Sequence, residues 1–325
     1  MKFLKQLIKD AQKNPKTIIF PEAGFSDRIV KAVKKIQKKH IAKVVLVGDE
    51  SSLVLQDKKL KDFTIINPKT CAYKDALAQE LFELRKEKGL TKEQADELIL
   101  DPFYFSTMFV YSGFADGMVS GAEVSTARSL KPALQILREK DDFVNSYFLM
   151  CGKNKLTDNV FFLADCGLVE QPTSTQLATI AQRAVKQSNL LTTNEAKVSF
   201  LSYSTNQSAK SESTEKMREA YKLFKQNNPN VKAQGEIQLD AALIPSVAKT
   251  KLKDSEFFGG SNILIFPELN SANICYKAIS YFGDLYALGP ITAGLKKPVN
   301  DLSRGCTVKD IIYITALTVL QCQEK

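Results

Sequence analysis

A repeated order of strand-like run, small-residue loop and helix-period segment most constrains how this chain can fold. Short β-branched or aromatic runs are followed by loops rich in Gly, Ser, Thr or Asn, and most of these loops lead into a helical segment. The runs lie at 17–20, 43–47, 116–120, 160–164, 198–202 and 263–266. Strands that alternate with helices predict an α/β fold in which mainly parallel sheets are covered by helices.

The loops after these runs indicate where a ligand would bind. In parallel sheets ligands gather beyond the carboxyl ends of the strands, and helix N-termini there offer free backbone N–H groups to anions. For any one loop, plain N-capping by the same residue types is the better explanation. Several such loops together predict an anion-binding cleft. No GxGxxG or GxxxxGK[ST] motif is present, which argues against a standard dinucleotide or P-loop site.

Length and composition predict an ordinary soluble protein. A chain of 325 residues suits two domains, and 44% hydrophobic with 25% charged residues is typical of globular proteins. No apolar run approaches the roughly 20 residues of a membrane span, and the N-terminus resembles an amphipathic helix more than an export signal. The net charge of +9 comes from lysines scattered along helix faces, as at 31–39, which favours solvated faces over a nucleic-acid surface. A positive field that attracts phosphate-bearing small molecules is the weaker alternative.

The numbers of cysteines and histidines limit which bonds, metal sites and catalytic bases the chain can have. Six cysteines without a CxxC pair do not predict a disulfide framework, so we expect the reducing cytoplasm, and no zinc-like cluster or other metal site is expected. The single histidine, His40, lies in KKHIAK, which predicts the exposed C-terminal turn of a helix. Serine–histidine or cysteine–histidine catalysis therefore has little support, and we predict that any catalytic base is a carboxylate.

The segment 289–310, GPITAGLKKPVNDLSRGCTVKD, contains the most informative group of polar residues: Asn300, Ser303, Arg304 and Asp310. An arginine beside a hydroxyl suits a phosphoryl group, because the planar guanidinium can engage two oxygens at once. Thr307 and Asp310 also have the T-x-x-D spacing of a capping box, and spacing alone favours capping over catalysis. Ser303 as a turn residue and Arg304 as a surface ion-pair partner are the corresponding structural alternatives.

The motif KPVNDLSRG, with an aspartate seven residues after its serine, resembles the signature of the phosphate acetyltransferase family. Other stretches match that family in the same order and cover essentially the whole chain. They are FPEAGFSDR, ELRKEKGLT, ADGMVSGAEVSTARSLKPALQ, ADCGLVEQPTSTQLATIA, LSYSTNQSA, QGEIQLDAAL and IFPELNSANICYKA.

The resemblance implies an architecture and an activity. It implies two α/β domains of the isocitrate/isopropylmalate-dehydrogenase-like type, with a discontinuous first domain (1–147 plus 294–325), a second domain (148–293) and an active cleft between them. The implied reaction is reversible transfer of an acetyl group between acetyl-CoA and phosphate, giving acetyl phosphate and CoA. Coenzyme A is then a substrate, and no tightly bound cofactor, nucleic-acid partner or membrane partner is expected. A cytoplasmic homodimer is the implied assembly.

The resemblance also implies site residues. Asp310 matches the family's proposed base for the coenzyme A thiol, and Ser303 and Arg304 match residues assigned to the phosphate end and the transition state. Arg85 matches a family arginine in an LRKEKG-like motif. A second family arginine, in an RPALQ-like motif, is Lys131 here, which keeps the charge but loses the bidentate fork. Further substrate-binding candidates are Arg128, one turn away, together with Asn300, Ser125 and Thr126.

The expected mechanism is direct attack of the coenzyme A thiolate on the acetyl carbonyl, without an acetyl-enzyme. Cys166 is accordingly expected to be a small buried residue and not a nucleophile. A phosphate butyryltransferase is the close alternative. More distant alternatives are an NAD-dependent decarboxylating dehydrogenase, which needs clustered aspartates that the sequence lacks, and a phosphate-binding protein without catalysis.

Overall fold

The computed structural model describes residues 2–140, 142–152, 160–283 and 285–323. The strands are β1 Thr17–Phe20, β2 Lys43–Val47, β3 Thr64–Ile66, β4 Gly117–Ser120, β5 Asn145–Cys151, β6 Val160–Ala164, β7 Lys197–Leu201, β8 Lys232–Ile237, β9 Ile263–Ile265, β10 Tyr286–Ala293 and β11 Val299–Asp301. The helices are α1 Lys2–Lys13, α2 Asp27–Lys38, α3 Glu50–Gln56, α4 Lys74–Arg85, α5 Lys92–Leu98, α6 Pro102–Tyr111, α7 Thr126–Ile136, α8 Ser174–Leu191, α9 Glu212–Asn227, α10 Leu239–Leu243, α11 Pro245–Lys251, α12 Leu269–Phe282 and α13 Val308–Gln321. Short 3-10 turns lie at Lys58–Asp62 and Lys86–Lys88.

The described residues divide into two compact units. One unit holds those of Leu4–Phe143 and Gly294–Lys325, and the other holds those of Val144–Ala293 with Met1–Phe3. The chain therefore leaves the first unit, builds the second, and returns to the first.

The first unit is built on a parallel sheet with the strand order β11-β4-β1-β2-β3. The chain starts in the middle of this sheet at β1 and moves outward through β2 and β3, and β4 and β11 are then added on the other side. The point where the direction reverses lies between β1 and β4, which is where open parallel sheets gather their ligands. The helix-covered parallel sheet predicted from the sequence is confirmed.

The C-terminal segment supplies both an edge strand and a central helix to this unit. α13 follows β11 after a short loop and is buried along nearly all of its last three turns. It packs against α2 and β4, and its first turn lies next to the loop that leaves the sheet. At the end of α2, His40 is exposed and has a φ of 53°, so its predicted place at the exposed end of a helix is confirmed.

The second unit has a mixed sheet with the order β10-β5-β6-β9-β7-β8. β10, β5 and β6 pair antiparallel, and the remaining pairs are parallel. Asp165 follows β6 and is buried, but its carboxylate accepts hydrogen bonds from the Ser146 hydroxyl at 2.6 Å and from the Gly167 N–H at 2.8 Å. Burial nevertheless raises the pKa of Asp165 above its ordinary value. Cys166 next to it is fully buried, and burial raises its pKa as well, so it has the inert character expected of it.

Candidate active site

Three loops meet at the carboxyl edge of the first unit's sheet. They follow the adjacent strands β1, β4 and β11 and span 21–26, 121–125 and 302–307. Each loop ends in a hydroxyl residue that caps the next helix: Ser26 for α2, Ser125 for α7 and Thr307 for α13. The N-capping explanation of these loops is therefore confirmed, and the caps fix where each loop ends.

Glu22 holds the β1 and β4 loops together. Its carboxylate is fully buried and accepts hydrogen bonds from the backbone N–H groups of Gly121 at 2.7 Å, Ala122 at 2.9 Å and Glu123 at 2.8 Å. Three donors around one carboxylate compensate for its removal from water. A protein carboxylate thus occupies the nest of N–H groups at the point where the strand order reverses.

Arg28 joins the β4 loop to the β11 loop. Its Nη1 donates to the carbonyl oxygens of Arg304 and Cys306, both at 2.8 Å, and its Nη2 donates to the carbonyl oxygen of Ala122. Its guanidinium also pairs with the Glu123 carboxylate at 3.0 Å. The main chain around Arg304 is therefore held by a charged donor, while the Arg304 side chain takes no part in this contact.

Asp301, the last residue of β11, binds the start of α7. Its Oδ1 accepts from the Ser129 hydroxyl at 2.5 Å and its Oδ2 from the Thr126 hydroxyl at 2.6 Å. Gly121 leaves room for this carboxylate, since a Cβ at position 121 would lie 2.0 Å from Asp301 Oδ1. Burial, with a smaller contribution from the nearby Glu22 charge, raises the pKa of Asp301 from 3.8 to about 6.

The predicted catalytic residues Ser303, Arg304 and Asp310 lie in the loop after β11 and in the first turn of α13. Ser303 and Arg304 are exposed, and the Ser303 hydroxyl accepts from the Gly305 N–H at 3.2 Å. Among the residues that the structure describes, no carboxylate pairs with the Arg304 guanidinium. An exposed serine beside an unpaired arginine is a suitable place for a phosphoryl group.

Asp310 is half-buried and caps α13. Its Oδ2 accepts from the Thr307 N–H at 2.6 Å, while its own N–H donates to the Thr307 hydroxyl at 3.3 Å. The capping box predicted from the T-x-x-D spacing is confirmed. Burial raises the pKa of Asp310 above its ordinary value although the Thr307 N–H acts in the opposite direction. A carboxylate with a raised pKa is a stronger base, so the cap does not conflict with a role in proton transfer.

Predicted cationic residues line one face of α7. Arg128, Lys131 and Gln135 are spaced three and four residues apart and therefore share a helix face. Arg85, at the end of α4, contacts α7 by donating to the main-chain carbonyl oxygen of Gln135 at 3.4 Å. We call Arg128 and Lys131 of α7, together with Arg85 of α4, the cationic stripe.

Arg128 and Lys131 differ in how their charge is used. The Arg128 guanidinium pairs with the Asp101 carboxylate and lies 5.3 Å from the centre of the Phe103 ring. Lys131 is exposed and, in the part of the chain that the structure describes, pairs with no carboxylate. Lys131 therefore has the more available positive charge, although it lacks the guanidinium fork.

Three predicted substrate-binding residues have structural partners. Thr126 binds Asp301, and Ser125 caps α7 by accepting from the Arg128 N–H at 3.3 Å. Asn300 is fully buried, and its amide donates to Thr318 at 2.8 Å and to Gln321 at 2.7 Å. Side chains alternate along a strand, so Asn300 faces α13 while Asp301 faces α7. Asn300 therefore contributes to the packing of α13, and its predicted role in substrate binding stays a prediction.

Sequence reasoning did not single out Glu22, Arg28, Asp301 or Ser129. Glu22 and Arg28 lie in the FPEAGFSDR stretch, and Asp301 lies in KPVNDLSRG, so the signal available was their position within matched motifs at the ends of strands. Among the described residues, no cluster of three or more His, Cys, Asp or Glu side chains is arranged to hold a metal ion. No helix in the described ranges is long and apolar enough to cross a membrane.

Comparison with known proteins places this arrangement in a family. The family model described as "Phosphate acetyl/butaryl transferase" matches residues 2–319. A phosphate acetyltransferase from Acetivibrio thermocellus is 45% identical over 329 residues, which cover 99% of each chain. A phosphotransacetylase structure from Streptococcus pyogenes has a TM-score of 0.93 at 36% identity and covers 100% of this chain and 99% of that one. A 4-hydroxythreonine-4-phosphate dehydrogenase from Klebsiella pneumoniae, with a TM-score of 0.54 at 10% identity over 95% of this chain and 100% of that one, shares the fold alone.

The protein is an α/β acyltransferase. Its sheets are covered by helices in a dehydrogenase-like fold, and an exposed serine–arginine loop lies at the edge of one sheet. More particularly, the chain belongs to the phosphate acetyl/butaryl transferase family.

Proposed function

We propose that the protein transfers an acetyl group between acetyl-CoA and inorganic phosphate in either direction. One observation carries this proposal: the Ser303–Arg304 loop presents a hydroxyl and a guanidinium that pairs with no carboxylate in the described part of the chain, and the half-buried carboxylate of Asp310 follows six residues later. The hydroxyl and the guanidinium suit a phosphoryl group, and the carboxylate suits the acceptance of a thiol proton. The acetyltransferase names of the similar proteins support the choice of acyl group.

In the direction of acetyl-CoA synthesis, the reaction begins with proton transfer from the coenzyme A sulfur to the Asp310 carboxylate. A thiol with a pKa of about 8.5 needs only modest help near neutral pH. Burial raises the pKa of Asp310 and so strengthens it as a base. The thiolate then forms a bond to the carbonyl carbon of acetyl phosphate, and the bond from that carbon to the phosphate oxygen breaks. Inorganic phosphate leaves, and no acetyl-enzyme forms.

Cationic residues stabilise the phosphate end in this proposal. Arg304 and the Ser303 hydroxyl bind the phosphoryl oxygens and offset the charge that develops on the acetyl carbonyl oxygen. Arg85 and Lys131 add positive charge from α4 and α7. The available charge of Lys131 supports it over Arg128 as the counterpart of the family arginine. The prediction that the site lies in a cleft between two domains remains a prediction.

A spectrophotometric assay of phosphate-dependent thiol release tests the function directly. Purified protein is given acetyl-CoA or butyryl-CoA, each with and without phosphate. We expect thiol release that requires phosphate and is faster with acetyl-CoA. A preference for butyryl-CoA would make the enzyme a phosphate butyryltransferase, and release without phosphate would contradict a phosphate acyltransferase altogether.

We also propose a cytoplasmic homodimer. Its support is a set of exposed apolar side chains on α12, where Ile274, Tyr281 and Phe282 are 67%, 85% and 92% exposed. Exposed apolar patches on this scale are typical of interaction surfaces. Six free thiols support a reducing compartment. Light scattering should give a dimer mass for the wild type and a monomer mass for the double substitution Tyr281→Lys and Phe282→Lys; a monomeric wild type contradicts the assembly.

A further inference from the structure

Arg28 binds the backbone of the loop after β11 with one nitrogen of its guanidinium. It is the second residue of α2, and its Nη1 donates to the carbonyl oxygens of Arg304 and Cys306, both at 2.8 Å. The other side of the guanidinium faces the Glu123 carboxylate, which lies 3.2 Å from Nε and 3.0 Å from Nη2. Since an Nη group carries two N–H donors, Nη1 uses both of them on this loop.

The two carbonyl contacts also fix the direction of two N–H groups. The peptide bonds 304–305 and 306–307 are trans, and in a planar trans peptide unit the C=O and the following N–H point to opposite sides. The carbonyl of residue 304 therefore sets the direction of the Gly305 N–H, and the carbonyl of residue 306 sets that of the Thr307 N–H. Neither peptide unit can turn over without breaking its hydrogen bond to Arg28.

The N–H groups that are fixed in this way bind two side chains of the proposed chemistry. The Gly305 N–H donates to the Ser303 hydroxyl at 3.2 Å. The Thr307 N–H donates to Asp310 Oδ2 at 2.6 Å. Each of the two peptide units thus has the guanidinium of Arg28 on one side and a side chain of the proposed reaction on the other.

Arg28 is itself held in one position. It lies in the first turn of α2, which begins at the buried cap residue Ser26, and the Ser26 hydroxyl donates to the Glu123 carboxylate at 2.7 Å. The N–H of Glu123 in turn donates to the buried carboxylate of Glu22 at 2.8 Å. A group that is fixed on a helix by such a network holds its neighbours more accurately than one on a free loop.

We propose that Arg28 is a positioning residue of the acetyl transfer, which acts through the peptide units 304–305 and 306–307 to direct the Ser303 hydroxyl and the Asp310 carboxylate. This inference rests on the proposed function, because Ser303 and Asp310 take part in that reaction. Arg28 binds no substrate and accepts no proton in this role. Reacting groups must be held to within roughly 0.5 Å of their productive geometry, so losing these contacts slows the chemical step.

The test compares Arg28→Met and Arg28→Lys with Glu123→Gln as the matched control. Methionine keeps most of the side-chain length but has no donor, so kcat should fall about a hundredfold while the KM for coenzyme A stays within about twofold. Lysine keeps a charged donor without the planar fork and should recover about tenfold of this loss. Glutamine at position 123 keeps an oxygen that accepts from Ser26 and Arg28, so kcat should stay within about twofold of the wild type. A loss in Glu123→Gln equal to that in Arg28→Met would overturn the inference.

A double-mutant cycle shows whether Arg28 acts through the proposed site. In Asp310→Asn the base is already absent, so adding Arg28→Met should lower kcat by about tenfold or less. A smaller fraction of folded protein would instead lower kcat by the same factor in both backgrounds. Equal factors therefore overturn the inference, as does a kcat of Arg28→Met within about twofold of the wild type. If Arg28→Met does not fold, Arg28→Lys takes its place in the cycle.

Hydrogen exchange needs no activity and so separates failure of this inference from failure of the proposed function. The N–H groups of Gly305, Cys306 and Thr307 should exchange about tenfold faster in Arg28→Met than in the wild type or in Glu123→Gln. Unchanged exchange overturns the inference whatever the activity. Faster exchange in Arg28→Met, together with a wild type that transfers no acetyl group, contradicts the proposed function and keeps Arg28 as the residue that holds the loop.

Discussion

Thr126 Oγ1 lies 2.6 Å from Asp301 Oδ2, so the first residue of α7 donates a hydrogen bond to the last residue of β11. The strand that leads into Ser303 and Arg304 and the helix that carries Arg128 and Lys131 are therefore fixed to each other through one buried carboxylate. Ser129 provides the second hydroxyl to the same group at 2.5 Å.

The raised pKa of Asp301 predicts a specific dependence of stability on pH. A carboxyl with a pKa of about 6 when folded and 3.8 when unfolded binds its proton more tightly in the folded state. Its contribution to stability is present below pH 3.8 and is lost as the pH rises to about 6, a change of roughly 3 kcal/mol. Compared with Asp301→Asn, the wild type should lose free energy of unfolding by about this amount between pH 4 and 6.5. Urea unfolding across this range measures it, and a constant difference between the two proteins contradicts the assignment.

Asp310→Asn separates the two roles of Asp310. Asparagine keeps a side-chain oxygen for the Thr307 N–H but cannot take up the thiol proton, so we expect kcat to fall by roughly two orders of magnitude or more with little change in stability. Thr307→Ala is the matched control: it removes the other half of the capping box at a cost of about 1 kcal/mol but keeps the carboxylate. Equal activity losses in the two variants would show that Asp310 acts only as a cap.

The activity of the wild type should fall on the acid side with the protonation of Asp310. Because burial raises the pKa of this carboxyl, the fall in kcat should centre above the ordinary aspartate value of 3.8. Steady-state rates measured in buffers of constant ionic strength give this profile. The residual activity of Asp310→Asn should lack this fall at low pH. If its kcat falls at the same pH as that of the wild type, another group is responsible for the titration.

Arg304→Lys tests whether phosphate binding uses the guanidinium fork. Lysine retains the charge but not the two parallel hydrogen bonds, so the KM for acetyl phosphate should rise roughly tenfold. Arg304→Gln, which removes the charge as well as the fork, is the matched comparison. An unchanged KM in Arg304→Lys with a raised KM in Arg304→Gln would show that the charge and not the fork accounts for binding.

The cationic stripe predicts unequal effects of its two α7 members. Lys131→Gln removes an unpaired charge and should raise the KM for phosphorylated substrates about tenfold, while Arg128→Gln removes a charge already paired with Asp101 and should have a smaller effect. Lys131→Arg supplies the guanidinium fork and should lower the KM. A larger effect of Arg128→Gln would assign the role to Arg128 instead.

Six of the eleven described strands and the α13 capping box could be predicted from local sequence. Runs 17–20, 43–47 and 160–164 coincide with β1, β2 and β6, and the other three predicted runs differ from their strands by one residue at one or both ends. The other five of the eleven described strands were not predicted; they are β3, β5, β8, β10 and β11. In β11 the three residues VND carry too little β-branched or apolar signal. The T-x-x-D box was predicted because both partners lie within one helical turn.

The carboxylate contacts could not be predicted in the same way. Glu22 finds its first backbone donor 99 residues along the chain, and Asp301 finds Ser129 at a separation of 172 residues. No local pattern specifies such partners, since they are set by which strands lie side by side. The contacts of Asn300 with α13 could not be predicted for a related reason: neighbouring residues on a strand face opposite sides, and only the packing of α13 decides which side is the interior.

Arg28 donates to the carbonyl oxygens of Arg304 and Cys306 and to no side chain of the 302–307 loop except a weak contact with the Cys306 sulfur. The Arg28 contacts that hold this loop thus do not depend on which side chains occupy positions 303 and 304, although the Ser303 hydroxyl also accepts from the Gly305 N–H. Enzyme designers could exchange those two residues to seek new acyl acceptors, such as arsenate or other oxyanions, on an unchanged frame. The same property gives natural evolution a place where chemistry can drift without loss of architecture.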